Sequence, residues 1–363
     1  MRGSVTMKPT ARNGKIDLLK FLFSLAVIVF HFGKGIYRYD FCNKGYIAVE
    51  FFFVVSGFLF ARSLSRYSCY TDTLAKDSTA FMKRKFLSLF PYHLLCFLVC
   101  FVFTAVWQSW GAGTWPVHLF NALPDLLMLQ MSGLSHLSLL RYEWYLSAML
   151  IVMFIFTPIA IKYRKFFLYW LCPVVFVFAV GWLYHQKHDL DFIRQWTGVC
   201  MAGILRAAAE LSLGCLCYIV HENKWLDRVP KALLFLIEGG IYAVTFLYMS
   251  RQLDGLNDFT ILFLMGIVVP ISFSDRTSLR FLNNRFVYFL GKWSYSIYLM
   301  QLLVIEIVKP IDCGSSVLHT LLFVGCTLVA AWVCMIVTDS VLKLLRHWRD
   351  QHTSKGTPSS TGE

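Results

Sequence analysis

The chain has 363 residues, of which 57% are hydrophobic, 17% aromatic and only 15% charged, and its mean hydropathy is +0.59. Those proportions exclude an ordinary soluble domain and predict an all-α, polytopic integral membrane helix bundle. The formal charge of +13 reads as a topology signal, with attraction to anionic membrane lipid as a second reading, and calls for no nucleic-acid partner.

Apolar stretches long enough to span a bilayer predict about ten transmembrane helices: 16–33, 45–64, 86–108, 142–161, 166–184, 199–220, 231–250, 256–274, 286–308 and 317–342. The first is interrupted by charged groups and is followed by no small-residue cleavage site, so it reads as a retained anchor. Residues 117–131, VHLFNALPDLLMLQM, are too short and carry Pro124 and Asp125, which suits a re-entrant or interfacial segment. Residues 1–348 thus form one membrane domain, and the polar stretch 349–363 reads as a disordered cytoplasmic tail. About two-thirds of the 34 lysines and arginines lie before the first span, in every second loop and in the tail, which places both termini in the cytoplasm. Most cysteines sit within spans as apolar filler and show no metal spacing; Cys42 and Cys313 share the outer side, leaving a disulfide open.

The first span, KIDLLKFLFSLAVIVFHFGK (15–34), raises a question of chemistry. At 100° per residue Asp17, Lys20, Ser24 and His31 fall within one sector roughly 60° wide. Asp17 and Lys20 can snorkel to headgroups, but His31 lies about 16 Å beyond Lys20 by helical rise, deep in the hydrocarbon. A lone membrane histidine can simply be a neutral hydrogen-bonding group between helices; one that shares a face with an acid, a base and a hydroxyl points rather to function.

Other in-span polar residues carry two readings each. Arg206 and Glu210 are spaced i, i+4 and suit a structural ion pair. Ser56 and Gly57, with Glu50 on the same helix, suit a ligand approach or close helix packing. Ser294, Tyr298 and Gln301 align on one face, for inter-helix bonds or a sugar-facing wall. Glu143 and Trp144 open a span at the outer side, where they suit sugar recognition, though Trp144 is equally an interfacial belt residue.

Five motifs in order resemble the acyltransferase-3 family of integral membrane acyltransferases. They are Lys20 with His31 eleven residues later, GYIAVEFFFVVSGFLFARSL (45–64), FMKRKFLSLFPYHLL (81–95), EWYLSAMLIVMFIFTPI (143–159) and GKWSYSIYLMQ (291–301). The chain departs from the family pattern at Lys20 (usually arginine), at Ser88 before Pro91 (usually arginine) and at Gln301 (often histidine). The resemblance implies transfer of an acyl group, usually acetyl, from cytoplasmic acyl-CoA to a hydroxyl of a cell-envelope glycan or lipid-linked sugar, with no resident cofactor or metal. It makes His31 the base, since a neutral imidazole titrates near the operating pH. It gives Lys20, Arg84 and Lys85, with Asp17 as helix-end architecture, to the donor site, although Lys83 and Arg84 also serve as inside-positive markers. Two other classes stay open: a transporter or flippase, for which no paired broken helices are visible, and a catalytically degenerate sensor or partner-binding relative.

Overall fold

Each predicted span falls on a helix of the computed structural model, which describes residues 12–36, 42–67, 73–134, 139–253 and 255–354. The long helices are α1 (Gly14–Ile36), α2 (Ala48–Leu64), α3 (Leu74–Trp107), α4 (Trp144–Lys162), α5 (Cys172–Gln186), α6 (Ala202–Glu222), α7 (Lys231–Met249), α8 (Asp258–Phe273), α9 (Arg285–Val308) and α10 (Ser316–Ser354). No strand occurs among the described residues. Among the described residues, eight helical segments are long and apolar enough to cross a bilayer. The other two are α8, with 16 residues, and α9, whose apolar sequence is diluted by Lys292, Glu306 and its Ser, Tyr and Gln residues. Both pack into the same bundle, α8 against α6 and α7 and α9 against α1 and α10.

Between α3 and α4 the described residues make short helices, Trp115–Asn121 and Leu123–Leu126, and single turns at Ala112–Thr114, Gln130–Ser132 and Arg141–Glu143, none long enough to span. Proline opens each of the two helices, which suits a restart of the chain better than a continuous rod. By contrast α3 has 34 residues, about 51 Å at the helical rise, so one end must project beyond a hydrocarbon core about 30 Å thick. Helix α10 continues through Ser354, making residues 349–354 of the expected tail helical; the rest of that tail lies outside the described residues.

The polar face of α1 is explained by its neighbour. Helices α1 and α9 run parallel: the Asp17 side chain fills the space above Gly291, Phe21 stacks on Trp293 with centroids 6.0 Å apart, Ser24 Oγ donates to the Ser294 carbonyl at 3.2 Å, and His31 meets Gln301. The most extensive helix contact is α2 on α6, where Gly57 and Gly214 face each other. A Cβ on Gly57 would lie 2.2 Å from the Leu211 carbonyl oxygen, so close packing accounts for this glycine. Ser56, the next residue, faces α4 instead, its hydroxyl 3.0 Å from that of Tyr145.

Lys15, which as a sequence position reads as one more inside-positive charge, is buried: its Nζ lies 2.7 Å from Glu238 Oε1 and donates to the Thr277 hydroxyl and carbonyl. That ion pair ties the start of α1 to α7 and to the turn after α8. Cys42 and Cys313 are both free thiols, so no disulfide joins them. Burial pushes the Cys42 thiol above its ordinary range.

Candidate active site

A cavity of about 410 Å³ opens beside His31, walled by Val27 and Lys34 of α1, by Tyr46 and Val49, by Arg141, Tyr142 and Trp144 at the start of α4, by Asp191, Ile193 and Arg194 of the loop before α6, and by Arg206 and Tyr298. Four residues singled out in the sequence, His31, Trp144, Arg206 and Tyr298, therefore meet at one place, and Gln301 joins them through His31.

The hydrogen bonds fix the form of the imidazole. Gln301 is fully buried, and its Nε2 donates to the Tyr298 carbonyl at 2.8 Å. A carbonyl only accepts, so the amide oxygen must be the atom facing His31, 2.7 Å from Nδ1. Nδ1 therefore carries the hydrogen and Nε2 keeps the lone pair, which is the arrangement a general base needs. The ring is held from one face by Tyr142, stacked at 4.0 Å with planes 16° apart. Tyr298 completes the frame by donating from its hydroxyl to the Tyr142 carbonyl.

Arg206 does more than pair along its own helix. Its Nε donates to Glu210 at 2.9 Å as the spacing predicts, while its other nitrogens reach Glu50 of α2 and the Leu190 carbonyl, the latter at 2.7 Å. The guanidinium also lies 5.2 Å from the Trp144 ring centroid. One cation between two buried carboxylates thus locks α2, α6 and the loop carrying Ile193 and Arg194 around the cavity. Asp258 reinforces that loop by accepting from Leu190 N at 2.7 Å, from Tyr248 at 2.6 Å and from Tyr46 at 2.9 Å.

Other site residues fall elsewhere. Glu143, expected to face a sugar, is buried and turned away from the cavity: its Oε2 lies 2.6 Å from His93 Nδ1 on α3. His93 Nε2 faces the Leu126 carbonyl at 3.2 Å and must carry a hydrogen, so a further proton lies between His93 and Glu143 and the pair is buried without net charge. Close by, Asp125 accepts from Leu139 N at 2.8 Å, and burial pushes its carboxyl up to about 6. Ser294 does not line the cavity; its hydroxyl returns to the Gly291 carbonyl at 2.9 Å.

Asp17, Lys20, Arg84 and Lys85 also lie away from the His31 cavity. Asp17 takes an ion pair from Arg12 and sits 3.8 Å from Lys20 Nζ. Lys85 is close enough to Lys20 for the two charges to repel, and with Arg66 and Arg84 it lines a separate cleft of about 470 Å³ between α2, α3 and α4. Ser88, where the family pattern has arginine, donates to the Lys85 carbonyl and borders a third cleft whose cations are Lys292, Lys343 and Arg346.

Residues missed in the sequence include His93, Asp258, Tyr142 and the charged rim of Lys34, Arg141, Asp191 and Arg194. The rule that flags His31 also applies to His93, an imidazole inside an apolar helix. Tyr142, Arg141, Asp191 and Arg194 carry no such signal, because turns and loops bring them to the cavity, and Lys34 reads as an ordinary helix-end charge.

The described residues thus form a helical membrane bundle with a cavity beside a histidine whose Nε2 is free to accept a proton. The sequence model of the acyltransferase-3 family, described as an acyltransferase domain, matches residues 13–338, and the chain belongs to that family of membrane acyltransferases. Comparison with curated proteins and with solved structures finds no match.

Proposed function

We propose that this protein is an O-acyltransferase that carries an acyl group, acetyl in our reading, from cytoplasmic acyl-CoA to a hydroxyl of a cell-envelope glycan or lipid-linked sugar. The observation that carries the proposal is the His31 to Gln301 hydrogen bond, which leaves Nε2 unprotonated on a residue that lines a chamber large enough for a small substrate. In this reading Nε2 takes the proton of the acceptor hydroxyl as its oxygen attacks the thioester carbonyl. The C–S bond then breaks, and the imidazolium returns the proton to the departing thiolate. Acyl-CoA is a co-substrate, and the scheme invokes no resident cofactor.

The protein resides in the cell membrane, in our reading the bacterial cytoplasmic membrane, with both termini inside. The Lys20 and Lys85 end of the bundle then faces the donor and the mouth of the His31 cavity faces the acceptor. Lys85 shares its cleft with Arg66 and Arg84, a set of cations suited to the phosphates of the donor. The pantetheine arm has to cover the distance from this cleft to His31, about 16 Å along α1 from Lys20.

Mass spectrometry of surface glycans and lipid-linked sugars from cells with and without the gene tests the proposal. It should reveal one O-acyl group that depends on the gene; identical profiles would contradict it. Within the same scheme, Lys85→Glu should raise the acyl-CoA concentration needed for half-maximal rate more than it lowers the saturated rate. An unchanged requirement would remove Lys85 from the donor site.

A further inference from the structure

Beside the His31 cavity lies a second one of about 500 Å³, and Arg141 and Arg194 line both. Its remaining walls come from the end of α3, with Phe103 and Trp107, from Leu302, Leu303 and Glu306 of α9, and from the short helices before α4. This corner is apolar on its outside: Val106, Trp107 and Phe120 are each about two-thirds exposed or more, as side chains facing lipid would be. A cleft of mixed lining, with Phe103, Trp107, Leu302 and Leu303 beside Thr104, Gln108, His118 and Asn121, thus meets the His31 cavity at a gate made of two guanidiniums.

Neither guanidinium is saturated. Arg194 is exposed and donates to the Arg141 carbonyl at 3.3 Å, a bond that uses one of its five N–H groups. Arg141 reaches Glu306 at 3.3 Å, with both side chains over 40% exposed. The other rim charges are matched, Lys34 by Asp191 and Arg206 by Glu50 and Glu210. Arg141 directly precedes Tyr142, whose ring stacks on His31, so a group held by Arg141 lies one residue from the base.

We propose that the acyl acceptor is an anionic amphiphile: a phosphate attached to a hydrocarbon chain, gripped by Arg141 and Arg194, with its chain in the second cavity and its hydroxyl-bearing portion beside His31. Arginine forks match a phosphate through paired N–H donors, and the Phe103, Trp107, Leu302 and Leu303 side of the second cavity suits an alkyl chain. The proposal rests on the acyl-transfer reading for the word acceptor, but the anion subsite is measurable without any reaction.

The test is direct binding to the purified protein in neutral detergent, without acyl-CoA. The probes are dodecyl phosphate, inorganic phosphate and dodecyl maltoside, and the proteins are wild type, His31→Gln, the double variant Arg141→Gln with Arg194→Gln, and its counterpart with lysine at both positions. Wild type and His31→Gln should bind dodecyl phosphate at least tenfold more tightly than either comparison probe. The glutamine pair should lose that preference at an unchanged thermal midpoint, and the lysine pair, which keeps the charge, should retain part of it. Equal affinity for inorganic phosphate would overturn the role of the chain, and equal affinity for dodecyl maltoside the role of the charge. Unchanged binding in the glutamine pair, or a preference lost equally in the lysine pair, would overturn the gate. If dodecyl phosphate binds as expected while no acyl transfer is ever observed, the anion subsite stands and the acyl-transfer reading fails.

Discussion

Arg206→Gln should cost on the order of 3 to 5 kcal/mol of stability, because it leaves two fully buried carboxylates, Glu50 and Glu210, without their shared cation. That is a large part of the roughly 5 to 15 kcal/mol that separates a typical folded protein from its unfolded state. The loss should appear as a strongly lowered thermal midpoint in detergent and poor recovery of monodisperse protein. The triple change Arg206→Gln, Glu50→Gln and Glu210→Gln removes the uncompensated charge together with its partner and should recover most of the midpoint. A single variant as stable as wild type would mean that the triad does not hold α2 and α6 together.

The second large effect belongs to His31. Replacing it with glutamine keeps an amide donor for Gln301 and a side chain of similar length, so folding and expression should stay near normal. Glutamine cannot take a proton, and removal of a general base typically costs about 10² to 10⁴ in rate. Gln301→Leu should give a smaller loss, because the imidazole survives but nothing fixes its hydrogen on Nδ1. Near-normal transfer by His31→Gln at normal protein level would make His31 a packing residue. A trapped acyl adduct on the His31 imidazole would replace the base mechanism with a covalent one.

These two sites also show what a single sequence can and cannot reveal. The polar stripe of α1 was legible because helical periodicity alone gathers Asp17, Ser24 and His31, and periodicity likewise aligns the Ser294 to Gln301 face that receives it. The Arg206 to Glu210 pair was legible for the same reason, being local. Glu50 joins that pair from 156 residues away, a contact that only the packing of α2 on α6 creates. Glu143 shows the opposite failure: its position beside Trp144 suggested a pocket residue, yet the turn Arg141–Glu143 directs Trp144 to the cavity and Glu143 to His93. The rim arginines were counted as outer-loop charges, since nothing local tells a loop cation at a gate from one in free solvent.

The central claim is that His31 acts as the base of an acyl transfer. It is tested most directly by incubating purified wild-type and His31→Gln protein with acetyl-labelled acetyl-CoA and a membrane extract, then following label into the glycan and lipid fraction. The account predicts steady incorporation by wild type and at least a hundredfold slower incorporation by His31→Gln at equal thermal stability and equal acetyl-CoA binding. Label transferred at similar rates by both proteins would contradict it.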